Sequence, residues 1–358
     1  MLSKNSRLRL KRWQSAWQLL FFEYQQSRIP NTFSEKQMID FDRFVTRFHQ
    51  FGGWRLLLQY ARMGVLWTGI KSLAHCAVQG KSLKAAYPVM TQKVDDILIS
   101  QYGHLLKSCK EEPRLAVCEV PKIIWFSWLQ GLDNAPDMVK ACYESQRKHF
   151  ADYEFRVVDL ENFSQWVELP GYVVRKYNEG KVPSASFSDL LRLSLLKKHG
   201  GLWMDASVFC SGFGNEQLKE RWNRIMHHDF TVFRYFRKGQ KAPVGLSTWF
   251  IAAIPNHPIV TSVLDALLAY WKDYDCLVDY YIIHLFMSEA LRNNPGVMAT
   301  MPRENSHNSL LLGNALGKDF SESDWKNLTE HVSIHKLNYR KAEEAKENPN
   351  GYYRHIIG

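Results

Sequence analysis

Leu190, Leu193 and Leu196 recur at helical spacing, with Leu191 and Leu195 beside them, and this row predicts a helix with an apolar face. Ser186 reads as its N-cap, with Asp189 three residues on as a capping-box acid. Gly200 and Gly201 stop it. Leu202 to Met204 is then a short apolar run suited to a buried strand. That strand delivers Asp205 at its C-terminal end, where open α/β sheets place ligands.

The same alternation of elements runs through the rest of the second half. Val120 to Trp128 is strongly apolar after Pro121 and reads as a buried strand. Residues 136–149 read as a helix with Pro136 in the first turn. Tyr153 to Val158 reads as a second strand. Strand, helix, strand in that order predicts an α/β fold with a parallel sheet. Phe230–Phe236 and Thr248–Ile254 read as further strands, and Pro258–Trp271 and Asp279–Asn294 as apolar helices. Residues 335–340 read as a short strand before a mobile tail.

Residues 1–115 differ. Leu8, Leu10, Trp13, Trp17, Leu20, Phe21 and Tyr24 lie near one helical face, with Arg7, Arg9, Lys11 and Arg12 close by. A second apolar helix is read from about Trp54 to Val78, with Arg55, Arg62 and Lys71 interspersed. Residues 1–115 carry 18 Lys+Arg against 8 Asp+Glu, so the whole formal charge of +10 lies there. Such asymmetry suits an anionic partner, such as an anionic membrane or a polyanion, or else a helical extension packed on the domain that follows. No run of 18 apolar residues predicts a spanning helix, and no segment reads as a signal peptide. Glu111-Glu112-Pro113 marks the boundary. Three segments result: a basic helical region over 1–115, an α/β domain over 116–340 and a tail over 341–358.

Composition and cysteines narrow the class. A 46% apolar fraction with 12 Trp, 16 Tyr and 20 Phe is ample for a packed core, which excludes a disordered or fibrous chain. The six cysteines are scattered and form no C-x-x-C pair, so neither a zinc site nor a redox motif is indicated. Reduced thiols in a cytoplasmic protein are the simplest reading. No nucleic-acid module is recognisable, and the basic third alone is a weak basis for one.

Two carboxylates and a guanidinium remain, set around one helix–strand corner: Asp189, Arg192 and Asp205. Asp189 and Arg192 lie one helical turn apart on one face. The set Ser188, Asp189, Arg192, then Gly200, Gly201 and Asp205, follows the pattern S-D-x-x-R, about ten residues, G-G-x-x-x-D-x-[DST]. It resembles the capsular polysaccharide synthesis family of glycosyltransferases and, more distantly, glycosyltransferases with a DXD sugar-binding region and the clostridial glucosylating toxins. The chain departs at Ser207, where many relatives carry a second Asp. The run Ile123 to Gly131 is similar to the family's I-I-H-x-x-W-x-G-G, with Trp125 where relatives often have His.

The resemblance implies a GT-A, Rossmann-like nucleotide-sugar domain over about Pro121 to Arg340. It implies a hexosyltransferase using a UDP-sugar with Mn²⁺ or Mg²⁺, and retention of anomeric configuration. Asp205 and Ser207 would be the metal ligands. Trp128 would stack on the uracil base, and Ser188, Asp189, Arg192 and Lys336 would bind the donor, with Asp205, Asp189 and Arg192 as the catalytic set. Thr248 to Phe250 and the His257-Pro258 region would line the sugar or acceptor pocket, while His284 reads as a core residue. The implied acceptor is a bacterial capsule or other surface glycan, or its lipid-linked precursor, met at the inner face of the plasma membrane. Two alternatives share these residues: a glucosylating effector acting on a protein, and a non-catalytic carbohydrate- or lipid-binding protein.

Overall fold

The computed structural model describes residues 53–80, 86–107, 119–236 and 243–358. The described residues from 54 to 358 belong to one unit. The Trp13/Trp17/Phe21 stripe therefore lies outside the described residues.

A five-stranded sheet organises that unit. Its strands are β1 (Ile123–Ser127), β2 (Glu154–Val158), β3 (Gly201–Asp205), β5 (Phe230–Phe236) and β6 (Pro243–Ala253), in the order β2-β1-β3-β6-β5. Helix α4 (Asp137–His149) joins β1 to β2. β1 is parallel to both β2 and β3, as the strand–helix–strand order predicts. β6 runs antiparallel to β3, and β5 antiparallel to β6, which makes the sheet mixed. The chain runs from β1 to one neighbour and later returns to β1's other side as β3. The winding direction thus reverses between β1 and β3, the point at which open α/β sheets place ligands, and at their carboxyl ends Ser127 and Asp205 are paired in register.

Alternation of side chains divides the sheet's faces. Ile124, Leu202, Met204, Phe250 and Ala252 share a core with Trp222, Ile225 and Met226 of α7 (Glu216–Met226). The opposite face, bearing Trp125 and Trp203, receives α6 (Ser184–His199). Trp125 is fully buried there and donates from Nε1 to the Gly200 carbonyl at 2.8 Å, so it serves packing.

The α6 start differs from expectation. The helix begins at Ser184 behind Pro183, whose φ of −64° and ψ of 153° set up the first turn. Ser186 is buried inside the helix, and Asp189 is left free of capping duty. Gly200 and Gly201 do end the helix, with φ of +67° and +97°. A Cβ on Gly201 would stand 2.6 Å from the Ile123 carbonyl oxygen, so only glycine lets β3 start this close to β1.

A two-stranded ribbon flanks the sheet: β4 (Val208–Cys210) pairs antiparallel with β7 (Ile334–Lys336). After β7, the residues expected as a mobile tail form α11 (Tyr339–Ala345) and α12 (Tyr352–Ile357). Tyr352, Tyr353 and Ile356 enter a core with Met138 and Cys142 of α4, and that burial orders the segment.

The described part of the basic region is also packed. The single helix expected over 54–78 is two, α1 (Trp54–Arg62) and α2 (Leu66–Val78), broken at Gly64 with φ +69°. α3 (Tyr87–Tyr102) follows. Two helices of the sheet domain, α8 (Pro258–Asp273) and α9 (Ile282–Arg292), receive this region. Tyr102 donates to Asp273 Oδ2 at 2.8 Å, Tyr60 to the Val278 carbonyl at 2.9 Å, and Asn293 to the Leu106 carbonyl at 3.1 Å. Cys76, Cys142, Cys210 and Cys276 are buried free thiols. Among the described residues no helix is long and apolar enough to cross a membrane.

Candidate active site

Asp205 ends β3 at the winding reversal, and Trp203, Arg192 and Lys336 converge on it. Its Oδ1 accepts from Trp203 Nε1 at 2.9 Å and faces Arg192 Nη2 at 3.4 Å. Its Oδ2 faces Lys336 Nζ at 3.2 Å. Burial alone would push this carboxyl up, but Lys336, Arg192 and the Trp203 bond outweigh it and hold the pKa below the usual range. Asp205 is therefore a fixed anion at neutral pH.

Arg192 projects from α6 and is buried, its side chain 8% exposed. Nη2 pairs with Asp189 Oδ1 at 3.2 Å as well as with Asp205, and Nη1 donates to the Thr248 carbonyl at 2.5 Å. The guanidinium lies over the Trp203 ring, 4.9 Å from its centroid. This is not a surface ion pair. It is a buried clamp tying α6, β3 and β6 together, with its fork committed to protein groups. Asp189 feels burial most strongly, with Asp205's charge acting in the same sense; Arg192 only partly compensates, and the pKa is raised to about 6.

Trp128 follows β1 and is half-buried beside Phe126, Ala135, Val139 and Ala206. It meets Tyr339 edge-on at 5.5 Å between centroids. Ser188 is half-buried one residue before Asp189 and makes none of the corner's hydrogen bonds. Thr248 borders the corner through its carbonyl, whereas Trp249 and Phe250 belong to the core. The expectation that His257 lines a pocket is not met: it is buried, accepts from the Ile259 amide at the start of α8 and stacks on Phe230. His284 reaches the corner from α9, 3.4 Å from Thr248 Oγ1. Burial, aided by Arg192, lowers its pKa to about 4, so it stands neutral.

Trp203 and His284 are the corner residues that sequence reasoning missed or set aside. For Trp203 a signal existed, because residues two apart on a strand share a face, which aims its indole at Asp205. For His284 none did, since β6 and α9 meet only in the fold.

Ser207 and Lys336 are brought together by the ribbon. Lys336 sits opposite Val208 in register, and the Leu337 amide donates to the Ser207 carbonyl at 2.8 Å. The Lys336 ammonium thereby donates to Ser207 Oγ while facing Asp205. Asp205 and Ser207, the two oxygens expected to hold a divalent cation, thus share a built-in ammonium. Among the described residues no group of three His, Cys, Asp or Glu forms a metal site. Mg²⁺ and Mn²⁺ take oxygen ligands, and here Asp205 and Ser207 already face the Lys336 ammonium, with which a divalent cation would have to compete.

Among the described residues, four buried polar atoms around this corner lack partners: Ser127 Oγ, Trp128 Nε1, Arg192 Nε and His284 Nδ1. Unpaired buried donors are costly and mark where a ligand's polar groups would be met. The fold is an α/β sheet with a charged corner and unpaired polar atoms at its winding reversal, the place where open α/β sheets put ligands. The chain belongs to the capsular polysaccharide synthesis protein family, whose model matches residues 77–356. This match reaches past both ends of the stretch that carried the resemblance.

An uncharacterized glycosyltransferase of Acanthamoeba polyphaga mimivirus is 23% identical over 185 residues, covering 49% of this chain and 68% of that protein. Among solved structures, the PaToxG glycosyltransferase is similar at 16% identity and TM-score 0.36, covering 74% of this chain and 95% of that one. The catalytic domain of alpha-toxin from Clostridium novyi is similar at 9% identity and TM-score 0.35, covering 90% and 96%.

Proposed function

We propose that this chain is a GT-A glycosyltransferase that moves a sugar from a nucleotide-diphosphate donor, UDP-linked, to a capsule or other surface-glycan acceptor. The observation that carries this is the Asp205 corner: a fixed carboxylate, two cations and four unpaired buried polar atoms at the ends of β1 and β3. Family membership and the glycosyltransferase relative agree with it.

In this reading Trp128 holds the uracil base and Ser127 Oγ lies beside the ribose end of the donor. Arg192 keeps Asp205 and Asp189 at fixed positions rather than contacting phosphate, since its fork is already committed. Asp205 orients the donor sugar. Lys336 carries positive charge to the side of the diphosphate. Retention would follow from departure of the leaving phosphate on the face where the acceptor hydroxyl enters, with that phosphate taking the hydroxyl proton. Such a step relies on preorganised charge rather than on a protein base. His284, neutral, is not assigned as one.

A peripheral membrane position fits the exposed side of α1 and α2. Trp67 is 64% and Val78 88% exposed, with Ile70 between them and Arg55, Arg62 and Lys71 alongside. An apolar stripe flanked by cations suits an anionic lipid surface, where a lipid-linked acceptor would be met. The function is tested by screening purified protein against a panel of nucleotide sugars for release of UDP or GDP. Release from no member of the panel, with or without acceptor glycans, would defeat the reading.

A further inference from the structure

A departing diphosphate needs a cation beside it. The pattern of Asp205 and Ser207 assigns that place to a divalent metal, yet the structure fills the place between these two oxygens with the Lys336 ammonium. The opposite oxygen of Asp205 is also taken, by Trp203 Nε1 at 2.9 Å and Arg192 at 3.4 Å. A metal entering here would have to displace an N–H donor from each side and stand next to two fixed positive charges.

Lys336 is not a chance neighbour on a loose segment. Its backbone is the last residue of β7, in register with Val208, and the next residue's amide is bonded to the Ser207 carbonyl at 2.8 Å. The ladder thus sets the lysine opposite Ser207 before any ligand arrives. An ammonium has three N–H donors. Asp205 and Ser207 take two, and the side chain remains 21% exposed, so the third has room for a ligand oxygen. Arg192 is less open, because its Nη2 faces two carboxylates, its Nη1 bonds the Thr248 carbonyl and its side chain is 8% exposed.

We propose that Lys336 is the cation that receives the donor's diphosphate, and that donor binding by this chain needs no divalent metal. The inference rests on the nucleotide-sugar reading above. Asp205 and Ser207 then act as the seat of the lysine. They hold its ammonium so that one N–H is left for a ligand oxygen.

The test is calorimetric binding of UDP to the full chain, in EDTA and in excess Mn²⁺, for the wild type, Lys336→Met and Lys336→Arg. Thermal melts of each protein without ligand establish that it is folded. Mn²⁺ binding to protein without nucleotide is read in parallel by electron paramagnetic resonance. The wild type should bind UDP in EDTA about as tightly as in Mn²⁺. Lys336→Met, in EDTA, should bind roughly 10- to 100-fold more weakly, the worth of a charge-assisted hydrogen bond. Lys336→Arg should recover part of this loss, and Mn²⁺ should help Lys336→Met more than the wild type by gaining the vacated oxygens.

Wild-type binding that disappears in EDTA would overturn the proposal while leaving the donor reading standing. So would tight Mn²⁺ binding by the wild type that Asp205→Asn abolishes. Undiminished binding by a folded Lys336→Met in EDTA would do the same. Failure of UDP and every other nucleoside diphosphate to bind under both conditions would overturn the donor reading, and this inference with it.

Discussion

Replacing Arg192 by Met keeps the apolar stem of the side chain and removes a buried charge that two carboxylates share. Its Nη2 stands 3.2 Å from Asp189 and 3.4 Å from Asp205. At an effective dielectric near 20, each attraction is about 5 kcal/mol before desolvation is subtracted. Desolvation of the guanidinium offsets much of that sum. Removing one member of a buried charge cluster typically leaves a net cost of about 3–5 kcal/mol. The variant should therefore melt on the order of 10 °C lower near neutral pH.

The cost should also depend on pH in a defined sense. Asp189 already has a folded-state pKa of about 6, above its ordinary 3.8, through burial and the neighbouring Asp205 charge. A carboxyl raised in this way favours the fold fully below pH 3.8 and loses that contribution as pH rises through its folded value. Without Arg192 the folded value rises further. The Arg192→Met deficit should therefore be larger at pH 8 than at pH 5.5, since the Asp205 share of the loss persists at both. Asp189→Asn added to Arg192→Met should recover the pH-dependent part of it at pH 8. Urea unfolding at the two pH values measures this. A deficit below about 1 kcal/mol at pH 8, or one equal at both pH values, would refute the clamp.

Three further outcomes are expected. Trp128→Ala should weaken UDP binding by roughly 1–3 kcal/mol, the range for base–aromatic stacking, with GDP affected less; an unchanged titration would remove the uracil platform. His335 is fully buried and burial lowers its pKa from 6.5 to about 3, so the folded state resists the proton that the unfolded state accepts. Stability should accordingly fall as pH drops below 6.5, by about 1.4 kcal/mol per unit from this group, and His335→Gln should flatten that slope in acid titrations. The full chain should sediment with anionic but not neutral vesicles at low salt and be released at high salt, each basic residue near the surface adding about 1 kcal/mol; protein left in the supernatant would dismiss the membrane face.

Local signals made the heart of the site readable from the residues alone. The leucine row of α6, the glycine pair and the apolar run to Asp205 each act over a few residues, and the structure assembles them as expected. The N-cap was misplaced because Pro183 starts the helix before Ser186 can cap it. The long helix over residues 54–78 was misread because one glycine in a left-handed conformation breaks an otherwise continuous apolar pattern. The seating of Lys336 on Ser207 spans 129 residues and depends on the register of a three-residue ribbon, which no periodicity reports. The same holds for the packed C-terminal helices, whose stability comes from burying Tyr352 and Tyr353 against α4. Here tertiary burial, and not local propensity, supplies the order.

The central claim is that Asp205 organises a nucleotide-sugar transfer site. Its most direct measurement is release of UDP from UDP-sugars by wild-type protein and by Asp205→Asn, which keeps the shape and the Trp203 contact while removing the charge. The account predicts turnover of at least one UDP-sugar by the wild type, and loss of that turnover by two or more orders of magnitude in a folded Asp205→Asn protein, the scale of removing one preorganised electrostatic group. Turnover by Asp205→Asn at the wild-type rate would contradict it.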